Sequence, residues 1–257
     1  MGPGPDWHPH FGRIGGTSLA AWLAAYPDHG PPVRSLLLAT EERTGSEYLC
    51  QLLGATGQMG RPSEYLNTYW MRCFIPDYPE DIAAQVTIAH RVGTTPNRFF
   101  AMKLHAVQFA RLLTGSTVAA AFPAPVFVRL HRRDLLAQAI SLYRARYGSQ
   151  YHAHTPPARA VAYDGAAIGQ MMRELVLSRA RWELYFGGIG VTPLAIAYED
   201  LAADPMAAVQ AIGRYAGMQV APGEVAIPLR KQHDDISETW RQRFLAENRD
   251  RNVFDTV

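Results

Sequence analysis

The sequence predicts an α/β fold in which a parallel sheet carries helices on both faces. Apolar runs without polar alternation, at 34–40, 98–104, 125–132 and 191–198, have the composition of strands buried on both faces. A stretch with helical periodicity follows each run. Strand–helix alternation repeated in this way requires parallel strands joined by helical crossovers.

The helices are predicted from their periodicity and their capping residues. Pro79 with two acids opens one of them, Gly217 closes another, and a capping-box-like Ser237 opens the last. The predicted spans are 46–55, 79–94, 106–113, 134–147, 166–187, 204–217 and 236–248. Residues 148–164 are expected to form an irregular loop, of the kind that often serves as a lid or a binding segment.

The composition fits one large domain. The chain has 257 residues, of which 48% are hydrophobic, and this is enough for a sizeable core. We assign residues 1–32 to an N-terminal arm with a short helix at 17–26, and 33–257 to a single α/β domain. The net charge of +2 is too small to indicate a nucleic-acid partner or a membrane surface.

Cysteine content and hydropathy predict the compartment. Cys50 and Cys73 provide neither a disulfide framework nor a metal-ligand spacing, and we expect both to be reduced thiols. No stretch approaches the ~18 apolar residues that a membrane span requires. The N-terminus also lacks the layout of a signal peptide. We therefore expect a cytoplasmic protein with no membrane span and no metal.

The first strand-to-helix turn, EERTGS at 41–46, is the first candidate site, because ligands of such sheets bind beyond the carboxyl ends of the strands. Gly45 allows close approach of the backbone, and the amides of residues 44–47 favour an anion at a helix N-terminus. The turn is P-loop-like, but it lacks the first glycine and the lysine of a Walker A motif. Alone, it is equally consistent with an ordinary loop that carries a polar cap.

A second candidate lies in HRRDLLAQAIS, where Arg132 and Arg133 end a strand. Ser141 follows eight residues after Arg133, inside the next helix. A strand-end arginine and a helical serine can bind a phosphate together, the arginine through its fork of donors. By itself, the pattern would more often be surface charge on an amphipathic helix.

Together, these segments resemble the sulfotransferases and, more narrowly, the mycobacterial trehalose 2-sulfotransferase family. The matching positions are Arg43, Gly45, Ser46, Glu47, Gly60, Arg61, Pro62, Glu64, Arg133 and Ser141. PLAIAYEDLAADPMAAVQAI at 193–212 resembles the strand–Tyr-Glu-Asp-Leu–helix element of the superfamily, and RKQHDDISETWRQRF at 230–244 resembles its C-terminal basic segment and Trp-containing helix. The resemblance covers about residues 33–247.

The resemblance implies the sulfotransferase fold and a donor, 3′-phosphoadenosine-5′-phosphosulfate (PAPS). Its sulfuryl group would move to an acceptor hydroxyl without a metal. Arg43, Thr44, Gly45 and Ser46 would hold the 5′-phosphosulfate. Arg133 and Ser141 would hold the 3′-phosphate and so discriminate PAPS from ATP.

The resemblance also suggests the catalytic groups. Glu47 is the first candidate for the general base, as the matching glutamate is proposed to be in the trehalose family; its alternative role is to favour the helix dipole. Lys103 and His105 resemble the Lys-Thr-His of the cytosolic sulfotransferases, whose histidine is the base. We assign Lys103 to charge stabilisation and His105 to acceptor contact, with capping of the next helix as the alternative for His105.

The acceptor is expected to be a carbohydrate, a glycolipid or another small molecule, and the trehalose family also implies a homodimer. Arg61 and Glu64 are expected to line the acceptor pocket. Aromatic residues that could stack on a sugar, although core packing explains any one of them as well, are Tyr65, Tyr69, Trp70 and Tyr151.

Two acids depart from the family pattern, which has proline at the position of Glu42. Glu41 and Glu42 beside an anionic donor would weaken its binding, unless they point away or pair with a cation such as Arg132. They leave two alternatives open: an altered donor loop that acts on a small natural product, and a non-catalytic nucleotide-binding homologue. A P-loop kinase or nucleotide hydrolase would require the missing Walker lysine.

Overall fold

The computed structural model describes residues 7–8, 12–13, 15–148, 160–220 and 235–249. A short antiparallel pair, β1 (Trp7–His8) and β2 (Gly12–Arg13), precedes a four-stranded parallel sheet. That sheet contains β3 (Arg34–Thr40), β4 (Phe99–His105), β5 (Pro125–His131) and β6 (Leu194–Ala197), in the spatial order β4-β3-β5-β6. All four predicted strands of the parallel sheet are therefore confirmed.

Helices occupy the connections between the strands of the parallel sheet and also precede and follow the sheet in the chain. They are α1 (Leu19–Ala24), α2 (Ser46–Ala55), α3 (Thr68–Phe74), α4 (Ile82–Gly93), α5 (Ala106–Gly115), α6 (Val118–Ala121), α7 (Leu135–Gly148), α8 (Gly165–Ile189), α9 (Tyr198–Ala203), α10 (Pro205–Tyr215) and α11 (Asp235–Asn248). The short helices α3, α6 and α9 were not predicted. The predicted end of the last strand was also wrong, because Tyr198 begins α9 rather than ending β6.

Most helix starts follow local capping chemistry. The N-cap side chain accepts a hydrogen bond from a backbone amide of the first turn in α1, α3, α4, α6, α8 and α10, where the caps are Ser18, Asn67, Asp81, Thr117, Asp164 and Asp204. Helix α2 differs, because its N-cap is Gly45, which has no side chain to cap it.

The sheet separates two apolar cores, because successive strand residues point to opposite faces. Leu37 of β3 packs in one core with Trp182 and Phe186 of α8. Leu36 and Leu38 pack in the other core with α2 and α10. A third cluster joins α7, α8 and α11. This arrangement confirms the predicted sheet with helices on both faces.

Some predicted features lie outside the described residues. They include residues 1–6, 9–11 and 14 of the N-terminal arm, the part of the predicted loop at 149–159 with Tyr151, and the basic segment before α11. Within the described ranges, no helix has the length and apolar character that a membrane crossing requires.

Candidate active site

The donor loop, defined here as residues 41–45, connects the carboxyl end of β3 to α2. Thr40 at the end of β3 lies between His105 of β4 and Leu130 of β5, so the loop emerges at the centre of the sheet edge. Arg43 and Gly45 both have left-handed backbone, with φ of 62° and 75°. A Cβ added at Gly45 would lie 2.6 Å from Cδ2 of Tyr198, so the packing of α9 against the loop requires glycine.

Arginines form ion pairs with the two unexpected acids of this loop. Glu41 is buried and pairs with Arg129, which lies directly beside Ala39 in the β3–β5 register and also donates to the Leu130 carbonyl. Glu42 pairs with Nη2 of Arg146 at 2.9 Å. Both acids thus pair with a cation, but not with Arg132, the example considered from the sequence, whose guanidinium lies over the Tyr198 ring, 4.8 Å from its centroid.

The donor loop is also tied to its surroundings through its backbone. The Thr44 hydroxyl donates to the Glu41 carbonyl at 2.9 Å, and Nε2 of Gln138 donates to the Glu42 carbonyl at 2.7 Å. Nε1 of Trp182 donates to the Thr40 carbonyl at 3.1 Å, just before the loop. Hydrogen bonds within the protein therefore stabilise the loop conformation, and the Thr44 hydroxyl forms one of them.

The structure brings together two predicted donor residues that are far apart in sequence. Nε of Arg43 donates to Oγ of Ser141 on α7 at 3.0 Å. This contact joins the donor loop, expected to hold the 5′-phosphosulfate, to the helix expected to contribute to the 3′-phosphate site.

Arg133 is directed toward α9. Its guanidinium forms a two-pronged contact with Asp200, and its side chain is 57% exposed. The backbone amides of Arg133 and Asp134 donate to the Glu199 carboxylate, at 3.1 and 3.3 Å. Two neighbouring carboxylates of α9 thus hold the start of α7.

A polar cluster of Glu47, Glu64, Lys103 and His105 lies beside the donor loop. Lys103 and His105, two residues apart on β4, have side chains on the same face of the sheet. Nζ of Lys103 is 2.7 Å from Oε1 of Glu64 and 3.6 Å from Oε2 of Glu47. Nε2 of His105 is 3.3 Å from the same oxygen of Glu64. All three predicted catalytic residues therefore converge here.

The opposite charges in the polar cluster stabilise one another's ionised forms. Burial alone would raise the pKa of Glu64, but the nearby Lys103 and His105 hold it well below its ordinary value. Burial acts to lower the pKa of Lys103, but the Glu64 and Glu47 carboxylates outweigh it and raise that pKa. Glu64 is consequently a carboxylate and Lys103 an ammonium at neutral pH.

His105 also caps α5, the alternative that its position suggested. His105 and Gln108 form a reciprocal capping box, in which the His105 backbone N–H donates to Oε1 of Gln108 at 3.0 Å. An ionised carboxylate can only accept hydrogen bonds, so the Nε2 that faces Glu64 carries a hydrogen.

Arg61, expected in the acceptor pocket, and Tyr65, one of the aromatic residues considered for stacking on a sugar, have other contacts. Nη1 of Arg61 donates to the carbonyls of Val92 and Thr94 at the end of α4, at 3.2 and 3.0 Å. Tyr65 is buried in the core, so the hypothesis that its ring stacks on a sugar is wrong. Tyr69 is 85% exposed on α3.

Several residues of this site were not identified from sequence. Arg129 was an unexplained charge inside an apolar strand, and that anomaly was the available signal. Gln108 stands three residues after His105, the spacing of a capping box. Arg146 and Asn67 carry no comparable local signal. Across the described residues, no three His, Cys, Asp or Glu side chains are grouped as metal ligands.

Comparison with known proteins identifies the family. The family model described as Stf0 sulphotransferase matches residues 35–247. The chain belongs to this sulfotransferase family. The resemblance and the α/β sulfotransferase fold expected from the sequence are both confirmed.

Two curated relatives of this sulfotransferase are trehalose 2-sulfotransferases. The protein from Mycobacterium tuberculosis (strain Erdman) is 28% identical over 260 residues, covering 84% of this chain and 96% of that protein. The protein from Mycolicibacterium smegmatis is 27% identical over 261 residues, covering 84% of this chain and 95% of that protein.

Solved structures of sulfotransferases are also similar. A sulfotransferase from Alicyclobacillus acidocaldarius has a TM-score of 0.48 at 14% identity, covering 85% of this chain and 93% of that chain. The sulfotransferase domain from the curacin biosynthetic pathway has a TM-score of 0.47 at 13% identity, covering 81% of this chain and 82% of that chain.

Proposed function

We propose that this sulfotransferase moves the sulfuryl group of PAPS to a hydroxyl of a carbohydrate or glycolipid acceptor, with trehalose as the first candidate. The observation that carries the proposal is the position of Glu47, in the first turn of α2 and 3.6 Å from the Lys103 ammonium. A carboxylate, an ammonium and a helix N-terminus meet at the end of the donor loop. The two trehalose 2-sulfotransferases that the chain resembles support the choice of acceptor.

The donor loop fits an anionic donor. Helix α2 begins after Gly45, an N-cap without a side chain, and the helix dipole favours negative charge at this N-terminus. Arg129 offsets the charge of Glu41, and Arg146, which also pairs with Glu174, offsets part of the charge of Glu42. When bound, PAPS would supply an activated sulfuryl group, so the protein has mainly to position it and stabilise charge.

Arg133 and Ser141 remain the proposed 3′-phosphate ligands. Ser141 already contacts Arg43 of the donor loop. The guanidinium of Arg133 is engaged by Asp200 at an exposed position, so a phosphate would compete with that carboxylate for the same fork. We leave Arg61 out of the proposed acceptor site, because its guanidinium binds backbone carbonyls of α4 and the residue after it.

Glu47 is the better candidate for the general base. It would accept the proton of the acceptor hydroxyl as the oxygen bonds to sulfur and the bond from sulfur to the 5′-phosphate oxygen breaks. Lys103 would stabilise the charge that develops on the sulfuryl oxygens. His105 is less suited to the role, because its Nε2 hydrogen is directed at Glu64 and the residue caps α5.

The test uses ligand binding first and turnover second. In a thermal-shift titration, we expect stabilisation by PAP, the desulfated donor, and none by ATP. Radiolabelled PAPS with trehalose and a panel of other sugars, glycolipids and small natural products then identifies the acceptor. No response to PAP would refute the donor assignment and the roles of Arg133 and Ser141. PAP binding without transfer to any acceptor would favour the non-catalytic homologue.

A further inference from the structure

The carboxylate of Glu64 is occupied by the protein's own donors. Oε1 faces Lys103 at 2.7 Å and His105 at 3.3 Å. Oε2 accepts hydrogen bonds from Nδ2 of Asn67 at 2.7 Å and Nε2 of Gln108 at 3.2 Å. A carboxylate offers about four acceptor sites, so these donors saturate it. Glu64 is thus an internal anchor with no acceptor site left for a sugar.

The Lys103 ammonium lies unequally between two carboxylates. It is 0.9 Å closer to Glu64 than to Glu47, from distances of 2.7 and 3.6 Å. The Lys103 side chain is only 7% exposed, so water screens these attractions weakly. A carboxylate paired fully with an ammonium is a weaker base than one paired partly, because the positive charge stabilises its ionised form.

We propose that Glu64 is a positioning residue for the sulfuryl transfer, holding the Lys103 ammonium back from Glu47. The inference rests on the proposed function. In that reaction the acceptor oxygen bonds to sulfur, the bond from sulfur to the 5′-phosphate oxygen breaks, and the hydroxyl proton passes to Glu47 and then to water. Glu64 acts on this step only through Lys103, which it keeps from neutralising the base before the acceptor arrives.

The variant Glu64→Gln separates this role from a purely structural one. With Glu64 neutral, Lys103 would pair with Glu47 alone, and we expect kcat to fall about tenfold because a weaker base removes the proton. The site would also gain one unit of positive charge, so anionic PAP should bind about three- to tenfold more tightly. A merely structural role predicts the opposite change in affinity, since a disordered site binds PAP less well.

The experiment measures PAP affinity by calorimetry and kcat with the acceptor found in the screen. The matched control is Glu80→Gln, the same chemical change at a side chain that is 77% exposed and paired with Arg72 on the surface. We expect this control to leave both quantities within about twofold of the unaltered protein. Weaker PAP binding by Glu64→Gln would overturn the inference.

A second variant covers the case in which Glu64→Gln does not fold. Glu64→Asp keeps the charge but shortens the side chain by one methylene, so Lys103 is held less closely. We expect a drop in kcat of about threefold with PAP affinity nearly unchanged. A parallel loss of both would overturn the inference. Failure of the unaltered protein to bind PAP would instead refute the proposed function, so the two failures are distinguishable.

Discussion

The buried carboxylate of Glu41 is accommodated because the neighbouring strand provides its counter-charge. Arg129 stands opposite Ala39 in the parallel register, so its side chain reaches the base of the donor loop. A buried charge without a partner is costly, whereas a paired one is tolerated. Glu41 therefore belongs to the framework of this loop.

Replacing Arg129 tests how much stability the protein loses when Glu41 stays buried without its ion-pair partner. Arg129→Met leaves Glu41 buried and unpaired, and we expect about 3–5 kcal/mol of lost stability in urea unfolding. Arg72→Met breaks an exposed pair with Glu80 and should cost no more than about 1 kcal/mol. Equal losses in the two variants would contradict this account.

The two base candidates can be separated by a pair of substitutions. Glu47→Gln should leave PAP affinity nearly intact while lowering turnover by about 10²–10⁴, the usual contribution of a general base. His105→Asn keeps a good N-cap for α5, and we expect it to retain activity within about tenfold of the unaltered protein. If the histidine variant loses activity and the glutamate variant keeps it, the base is His105.

At the scale of elements, α9 packs against the donor loop at its only glycine. The Tyr198 ring occupies the space that a Cβ at Gly45 would fill, and Glu199 accepts hydrogen bonds from the amides of Arg133 and Asp134, just before α7. One short helix thus contacts both segments assigned to the donor. This contact makes the loop conformation depend on a tertiary neighbour as well as on its own residues.

Gly45→Ala tests that dependence, with Gly57→Ala as the control. Both glycines have left-handed backbone, with φ of 75° and 66°, so both variants carry a backbone penalty of about 1–2 kcal/mol. Only the Cβ at position 45 meets Tyr198, and overpacking there should cost about 1–3 kcal/mol more. We expect calorimetry to show weakened PAP binding for Gly45→Ala alone. Identical behaviour of both variants would refute the role of the contact.

Elements with a strong local signal could be predicted from sequence, whereas those that depend on tertiary context could not. The strand at 34–40 and the helix at 46–55 agree with the predicted bounds because the apolar run and the glycine turn are local features. Helix α9 was missed because Tyr198 extends the apolar pattern of β6. In the structure Tyr198 begins α9 instead and packs against Gly45.

The same distinction applies to the candidate site. Glu47, Lys103 and His105 could be proposed because the short motifs around them resemble catalytic motifs of the sulfotransferases. The partners of the acids could not, because Arg129 reaches Glu41 only through the pairing of β3 with β5. Strand order is a property of the whole chain, and no residue near position 41 encodes it.

At the scale of the whole molecule, the polar cluster should make the free energy of unfolding depend on pH in the acidic range. The pKa of Glu64 lies well below its ordinary value of 4.5, because Lys103 and His105 outweigh burial. A carboxyl group whose pKa is lowered by folding stabilises the folded state at pH values above its ordinary pKa. This contribution is lost as the pH falls through the folded-state pKa.

The measurement compares urea unfolding of the unaltered protein and Glu64→Gln across pH. At neutral pH the unaltered protein should be more stable, and the difference should shrink as pH falls below the ordinary pKa of 4.5 and through the lower folded-state pKa of Glu64. A difference that stays constant over this interval would show that the ionisation of Glu64 does not contribute to folding.

The 3.0 Å contact between Arg43 and Ser141 has a further consequence under the proposed function. The groups assigned to the two ends of one nucleotide touch each other, so neither end can be recognised independently. An anion bound at one of them would influence the residue assigned to the other through this hydrogen bond. The protein would then select nucleotides by the distance between two anionic groups on one ribose. A nucleotide that carries only one of these groups would contact only one of the two hydrogen-bonded residues.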